Sequence, residues 1–167
     1  MLEAIRSLFR YRGTRVITCP ETGHGEAVQV DAPHAAWTNL TGHGHLRLDS
    51  CTRWPERQGC AESCLRQIEA APDGCLVQKV LQSWYTGKAC VYCHKPFGLI
   101  NWADHHPTLM SQDLITQDMV TRTWSEIAPR DLPDTLKTSS PVCWNCHIAE
   151  TFRREHPELV TDRNWQH

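Results

Sequence analysis

No stretch of this sequence approaches the roughly 18 consecutive apolar residues of a membrane-spanning helix. The first residues, MLEAIRSLFRYRG, carry neither an apolar run of leader length nor a small-residue cleavage site. We therefore expect a cytoplasmic protein without a transmembrane segment. A basic surplus is also missing: 17 Lys and Arg stand against 19 Asp and Glu, for a net charge of -2. Chains that neutralise many phosphates usually carry excess positive charge, so bulk charge does not favour nucleic-acid binding. Low-complexity tracts are absent. The length, 167 residues, allows one ordinary domain or two small ones.

Cysteine is what the chain has in excess, nine in all. The count is odd, and four of the nine form two C-x-x-C pairs, Cys90/Cys93 and Cys143/Cys146. Two sulfurs in one tight turn suit a shared metal ion better than two disulfide bridges. Two such turns supply four soft ligands for a tetrahedron, the geometry Zn²⁺ prefers. We expect Cys90, Cys93, Cys143 and Cys146 to form one zinc tetrathiolate. The first pair runs into Lys95-Pro96-Phe97-Gly98, which fits a knuckle leading to a strand. The second pair opens a predicted helix that Pro157 ends; there the helix dipole and free N–H groups favour thiolate. A knuckle followed by a helix-borne pair resembles the treble-clef class of zinc modules over about residues 88–157, with 49 residues between the pairs implying an insertion.

Both pairs also read C-x-x-C-H, the attachment motif of c-type haem. The haem alternative uses Cys90, Cys93 and His94 for one group and Cys143, Cys146 and His147 for the other. His105, His106, Met110 and Met119 are then candidate distal ligands.

Five cysteines remain. Cys19 begins CPETG, which resembles half of a rubredoxin-type knuckle. Cys60 and Cys64 are four apart in CAESCLRQIEAA, read here as a helix, so they share a face. With Cys51 upstream, we expect Cys19, Cys51, Cys60 and Cys64 to form a second four-thiolate site for zinc or an iron–sulfur cluster, with Cys75 a possible substitute. The competing reading is a set of buried free thiols acting as small hydrophobes.

Asp104-His105-His106-Pro107 lies between the C-x-x-C pairs. The order C-x-x-C, Asp-His, C-x-x-C-H resembles the zinc-containing HNH endonucleases over about residues 90–150. The resemblance implies His105 as general base, Asp104 as holder of a catalytic divalent ion and His147 as the closing histidine. The Asn that family carries between the Asp-His pair and the second Cys pair is missing, since no Asn occurs from 105 to 142. The plainer reading makes Asp104 a turn residue and the histidines solvated. His24, His34, His43 and His45 are read as scattered loop histidines, and the seven tryptophans as core or as lids over thiolates.

Coarse elements follow from pattern. Leu2, Ile5, Leu8 and Phe9 share one face of an N-terminal helix, with Arg6, Arg10 and Arg12 elsewhere. Packing of that face on its own domain is the favoured reading, with docking on an anionic membrane as the alternative. Residues 15–30 form a hairpin with Cys19 at its tip; 31–50 read as loop with a short strand near Leu46–Leu48. Helices over 60–71 and 75–85 form a helical hairpin broken at Pro72-Asp73-Gly74. Short strands are expected around 114–124.

The sum is an α+β protein in four parts: an N-terminal amphipathic helix (1–14), a Cys-rich hairpin and helical-hairpin module (15–87), a treble-clef-like module (88–160) and a tail (161–167). Over its whole length the chain resembles a bacterial Cys-rich family, a likeness that implies no activity. The expected role is binding: a metal-stabilised accessory or adaptor protein with a protein partner. Electron transfer through haem or an iron–sulfur cluster, and HNH-like nuclease activity, are the alternatives.

Overall fold

A computed structural model of the chain describes residues 2–42, 44–57, 59–102, 104–113 and 117–160. His43, the 114–116 part of the expected strand and the 161–167 tail lie outside them. The described residues form an α+β fold of six α-helices and two three-stranded antiparallel sheets. Two compact units divide the chain. One comprises the residues up to Trp84 together with Ile127–Asp134, and the other Tyr85–Glu126 with the chain from Thr135 onward. The stretch 127–134, which the sequence reading placed in the C-x-x-C module, thus belongs with the first unit.

In the first unit, α1 (Leu2–Tyr11) precedes a sheet ordered β1 (Arg15–Thr18), β2 (Gly25–Val30), β3 (Leu48–Cys51). Register pairs Thr18 with Gly25 and Val28 with Cys51. The turn after β1 and the end of β3 therefore meet at one end of the sheet. Alternation along the strands sends Ile17, Val28, Val30 and Leu48 into a core shared with Ala35, Leu46, Cys64 and Ile68. Gly25 is required by packing: a Cβ there would stand 2.9 Å from the carbonyl oxygen of Arg130, so only glycine lets the 127–134 segment approach β2.

The expected loop over 31–50 contains a helix, α2 (Ala32–Leu40). Asp31 caps it, accepting the His34 N–H at 2.9 Å, and Pro33 stands in the first turn, where its missing N–H costs nothing. Small residues let it pack: Ala32 and Ala35 are buried.

The helix expected over 60–71 begins later, as α3 (Leu65–Ala70). Glu62 has a φ of 48°, outside helical space, and its carboxylate accepts the Leu48 N–H at 3.0 Å. Cys60 and Cys64 therefore do not share a helix face. The second arm of the helical hairpin, α4 (Val77–Tyr85), starts two residues after Cys75.

The packing expected of α1 is reversed. It buries Ser7 and leaves Leu2, Ile5 and Phe9 exposed, by 74%, 47% and 66%. Ser7 accepts a hydrogen bond from Asn39 of α2 at 2.7 Å, so the small, polar side of α1 faces α2. The C-terminal end of α1 is held by Arg15, a fully buried guanidinium. It donates to the carbonyls of Tyr11 (2.8 Å), Gly13 (3.0 Å) and Pro72 (3.3 Å). The Tyr11 carbonyl is one that the end of α1 leaves without an internal partner.

The second unit carries a sheet ordered β5 (Met119–Arg122), β4 (Thr108–Gln112), β6 (Ser140–Val142), followed by α6 (Trp144–Glu155). Of its strands, β5 falls within the span expected from sequence; β4 lies before it. A 3-10 turn over Pro129–Asp131 runs directly into α5 (Leu132–Thr138). Buried Leu109 and Val142 line the sheet, and buried Tyr85 packs its ring on Phe97 at 4.9 Å while its hydroxyl donates to the Thr108 carbonyl at 2.7 Å.

Candidate metal centre

The first C-x-x-C pair sits on a tight knuckle. Ala89 and Pro96 pair across it, the Phe97 N–H bonds the Lys88 carbonyl at 3.0 Å, and the Cys90 N–H bonds that of Lys95 at 3.0 Å. The turn closes through the His94 N–H on the Cys90 carbonyl at 2.9 Å, with His94 at a φ of 56°. The second pair straddles the start of α6. Cys143, in extended conformation, is its cap residue, and Cys146 lies in its first turn. Strand β6 delivers this helix start to the knuckle. The Val91 N–H bonds the Pro141 carbonyl at 3.0 Å, and the Cys143 N–H points at Cys90 Sγ at 3.3 Å.

The four sulfurs converge, all within 4.8 Å of one another. Cys93 Sγ and Cys143 Sγ are 3.7 Å apart. A Zn–S bond of about 2.3 Å gives a tetrahedral edge of about 3.8 Å, so the donor set fits a zinc-sized ion. Cys90 is fully buried and Cys93 exposed, which puts the centre at the rim of the unit.

Electrostatics fit the same use. Burial pushes the Cys90 thiol up, but the N–H groups of Cys93, Cys143 and Tyr92 outweigh it and bring it down to about 6. Burial and the neighbouring sulfurs push Cys143 and Cys146 up. One thiolate is stabilised and its neighbours resist ionising beside it, a conflict that a bound dication removes. With four protein ligands, no position is left for a water or substrate.

Among the described residues no second group of three or more Cys, His, Asp or Glu ligand atoms gathers this tightly. Asp104 Oδ1 lies 2.7 Å from His105 Nδ1 on the surface, whereas His147 Nδ1 lies 2.9 Å from Thr121 Oγ1 on β5. The ligand atoms of Asp104, His105 and His147 form no tight group among the described residues, while the His105 and His147 rings both lie near Trp144, at 5.6 and 5.7 Å. Nor do the C-x-x-C-H motifs stand apart as two haem sites would require. Their sulfurs meet at a single point, which leaves no room for a macrocycle on each pair. His94 lies in the knuckle turn, and its side chain is exposed.

No protein-family model, curated protein or solved structure matches the chain.

The first-half cysteines occupy a different place. Cys19, Cys51, Cys60 and Cys64 line one cavity of the first unit, while Cys75 lies elsewhere, its Sγ 3.9 Å from the Gln67 carbonyl. Two contributors were not legible in sequence. Arg53 donates to Cys19 Sγ at 3.3 Å, and Thr121 holds His147. No spacing rule marks either; both act across long sequence separations.

Proposed function

We propose that this protein is a zinc-binding accessory protein that works by binding another protein, its metal holding the second unit in shape. The observation that carries this reading is the closed donor set: four cysteine sulfurs at zinc spacing, with the Cys143 N–H already aimed at Cys90 Sγ. A tetrahedral ion there has no open coordination position and acts as a clamp. The layout of knuckle, sheet and helix-borne pair agrees with the treble-clef resemblance.

A binding role is supported by the surface of the first unit. Leu2, Ile5 and Phe9 of α1, with Trp37 and Leu40 of α2, are exposed apolar side chains. Arg6 and Arg10 flank the α1 stripe, and Glu3 is the one acidic residue of that helix. The complementary partner is a protein that offers an apolar groove with an acidic rim.

The test is an absorption spectrum with elemental analysis of the purified chain, then binding assays with vesicles containing anionic lipid. Colourless protein carrying zinc that Cys143→Ser loses supports the clamp. A Soret band, or iron lost in Cys143→Ser, overturns it in favour of an electron carrier. Binding to the anionic vesicles that Phe9→Glu abolishes would replace the protein partner with a membrane surface.

A second reading keeps one supporting observation. The Asp104 carboxylate beside His105 Nδ1 is an arrangement that orients an imidazole as general base. HNH-like nuclease activity predicts Mg²⁺- or Mn²⁺-dependent nicking of DNA that His105→Ala abolishes. Absence of nicking by the wild-type chain removes this reading.

A further inference from the structure

Four cysteines outside the centre described above meet at one place in the first unit. Cys19 follows β1, Cys51 ends β3, Cys60 lies in the connection beyond it, and Cys64 immediately precedes α3. All four line a single cavity of about 40 Å³, walled also by Trp54 and Arg53. That volume exceeds the roughly 10–15 Å³ that one water centre requires and gives room for a small inorganic group.

At one of these sulfurs the surroundings suit a thiolate better than apolar packing. Cys19 Sγ accepts from the Arg53 guanidinium at 3.3 Å. A cysteine that only fills space has no need of such a donor, whereas a sulfur carrying charge does. The sulfurs are less tightly gathered than those of the second unit. An occupant therefore either draws them inward or is larger than one ion.

We propose that Cys19, Cys51, Cys60 and Cys64 hold a second thiophilic metal centre, a zinc ion or an iron–sulfur cluster bound by four thiolates. Binding releases the thiol protons to solvent and changes no oxidation state of sulfur. Cys75 is not a ligand.

The test uses the full chain, purified without oxygen or chelator. Metal and acid-labile sulfide are measured on wild type, Cys51→Ser and Cys143→Ser. In parallel, native wild type is alkylated with iodoacetamide and the modified cysteines are mapped by mass spectrometry. Cys51→Ser is expected to lose metal that Cys143→Ser retains, and Cys19, Cys51, Cys60 and Cys64 to resist alkylation until the protein is denatured. Colourless protein losing zinc supports a single ion; loss of iron and sulfide together supports a cluster. Retention of all wild-type metal by a folded Cys51→Ser overturns the proposal. So does ready alkylation of the four thiols in native, metal-containing protein. If Cys51→Ser does not fold, the wild-type alkylation map decides. Failure of the other centre would register separately, as unchanged metal in Cys143→Ser.

Discussion

Cys93 Sγ stands 3.7 Å from Cys143 Sγ although 50 positions separate them in sequence. Backbone contacts bring them there: the knuckle N–H of Val91 bonds the Pro141 carbonyl, and the Cys143 N–H points at Cys90 Sγ. Strand β6 thus delivers the second pair to the knuckle, and a bound ion would lock the knuckle, β6 and the start of α6 together.

Removing one ligand should therefore cost the second unit its fold. Zinc tetrathiolates contribute on the order of 10 kcal/mol to small modules, comparable to the whole stability of a domain. Cys143→Ser, or chelation of the wild type, is expected to abolish the near-ultraviolet dichroism arising from Trp102, Trp124 and Trp144. A Cys143→Ser chain that stays folded with full metal content would refute the ligand assignment.

Arg15 offers a test of how α1 is anchored. Its guanidinium is fully buried and bonds five main-chain carbonyls, those of Arg10, Tyr11, Arg12, Gly13 and Pro72. Arg15→Leu keeps apolar volume but leaves those carbonyls without their donor, at an expected cost of about 3 kcal/mol. Urea unfolding measures this, and limited proteolysis should cut first near residues 10–14. A change below about 0.5 kcal/mol would show that the anchor is dispensable.

Asp31 links stability to pH. The His34 N–H, and then the Arg47 guanidinium, hold its carboxyl below the usual carboxylate range. A depressed folded value means stabilisation that is present above the unfolded value, near 3.9, and lost as pH falls through the folded value. Asp31→Ala is expected to cost about 1 kcal/mol near neutrality, as loss of a helix cap does. The gap from wild type should close progressively below about pH 4. Denaturant melts of both proteins across pH check the sign; a constant gap would contradict it.

The exposed face of α1 predicts a separation of stability from binding. Phe9 is 66% exposed, so Phe9→Glu should shift stability by less than about 0.5 kcal/mol while weakening whatever docks on this face. A thermal melt gives the first result directly. Marked destabilisation would mean that Phe9 packs on its own domain after all.

Local signals were legible without coordinates. The α+β class, the hairpin with Cys19 at its tip, the helix that Cys143 caps and Pro157 ends, and the convergence of the two C-x-x-C pairs all follow from short-range chemistry. Turn residues, caps and ligand spacing act over a few residues, or through one ion whose geometry is known. What failed was decided at longer range. The helix over 32–40 escaped notice because His, Thr and Asn mask a run of small residues that only a packed neighbour makes useful. The late start of α3 depends on Glu62 turning back to Leu48, a contact between distant residues. The direction α1 faces depends on Ser7 meeting Asn39 and on Arg15 reaching its carbonyls. Periodicity identifies an amphipathic helix but not which side finds a partner. By itself the sequence determined which residues can bind a soft metal and where the first hairpin and the last helix lie. The tertiary structure decided which sulfurs share a centre and which apolar face stays open, because both depend on side chains brought together across the chain.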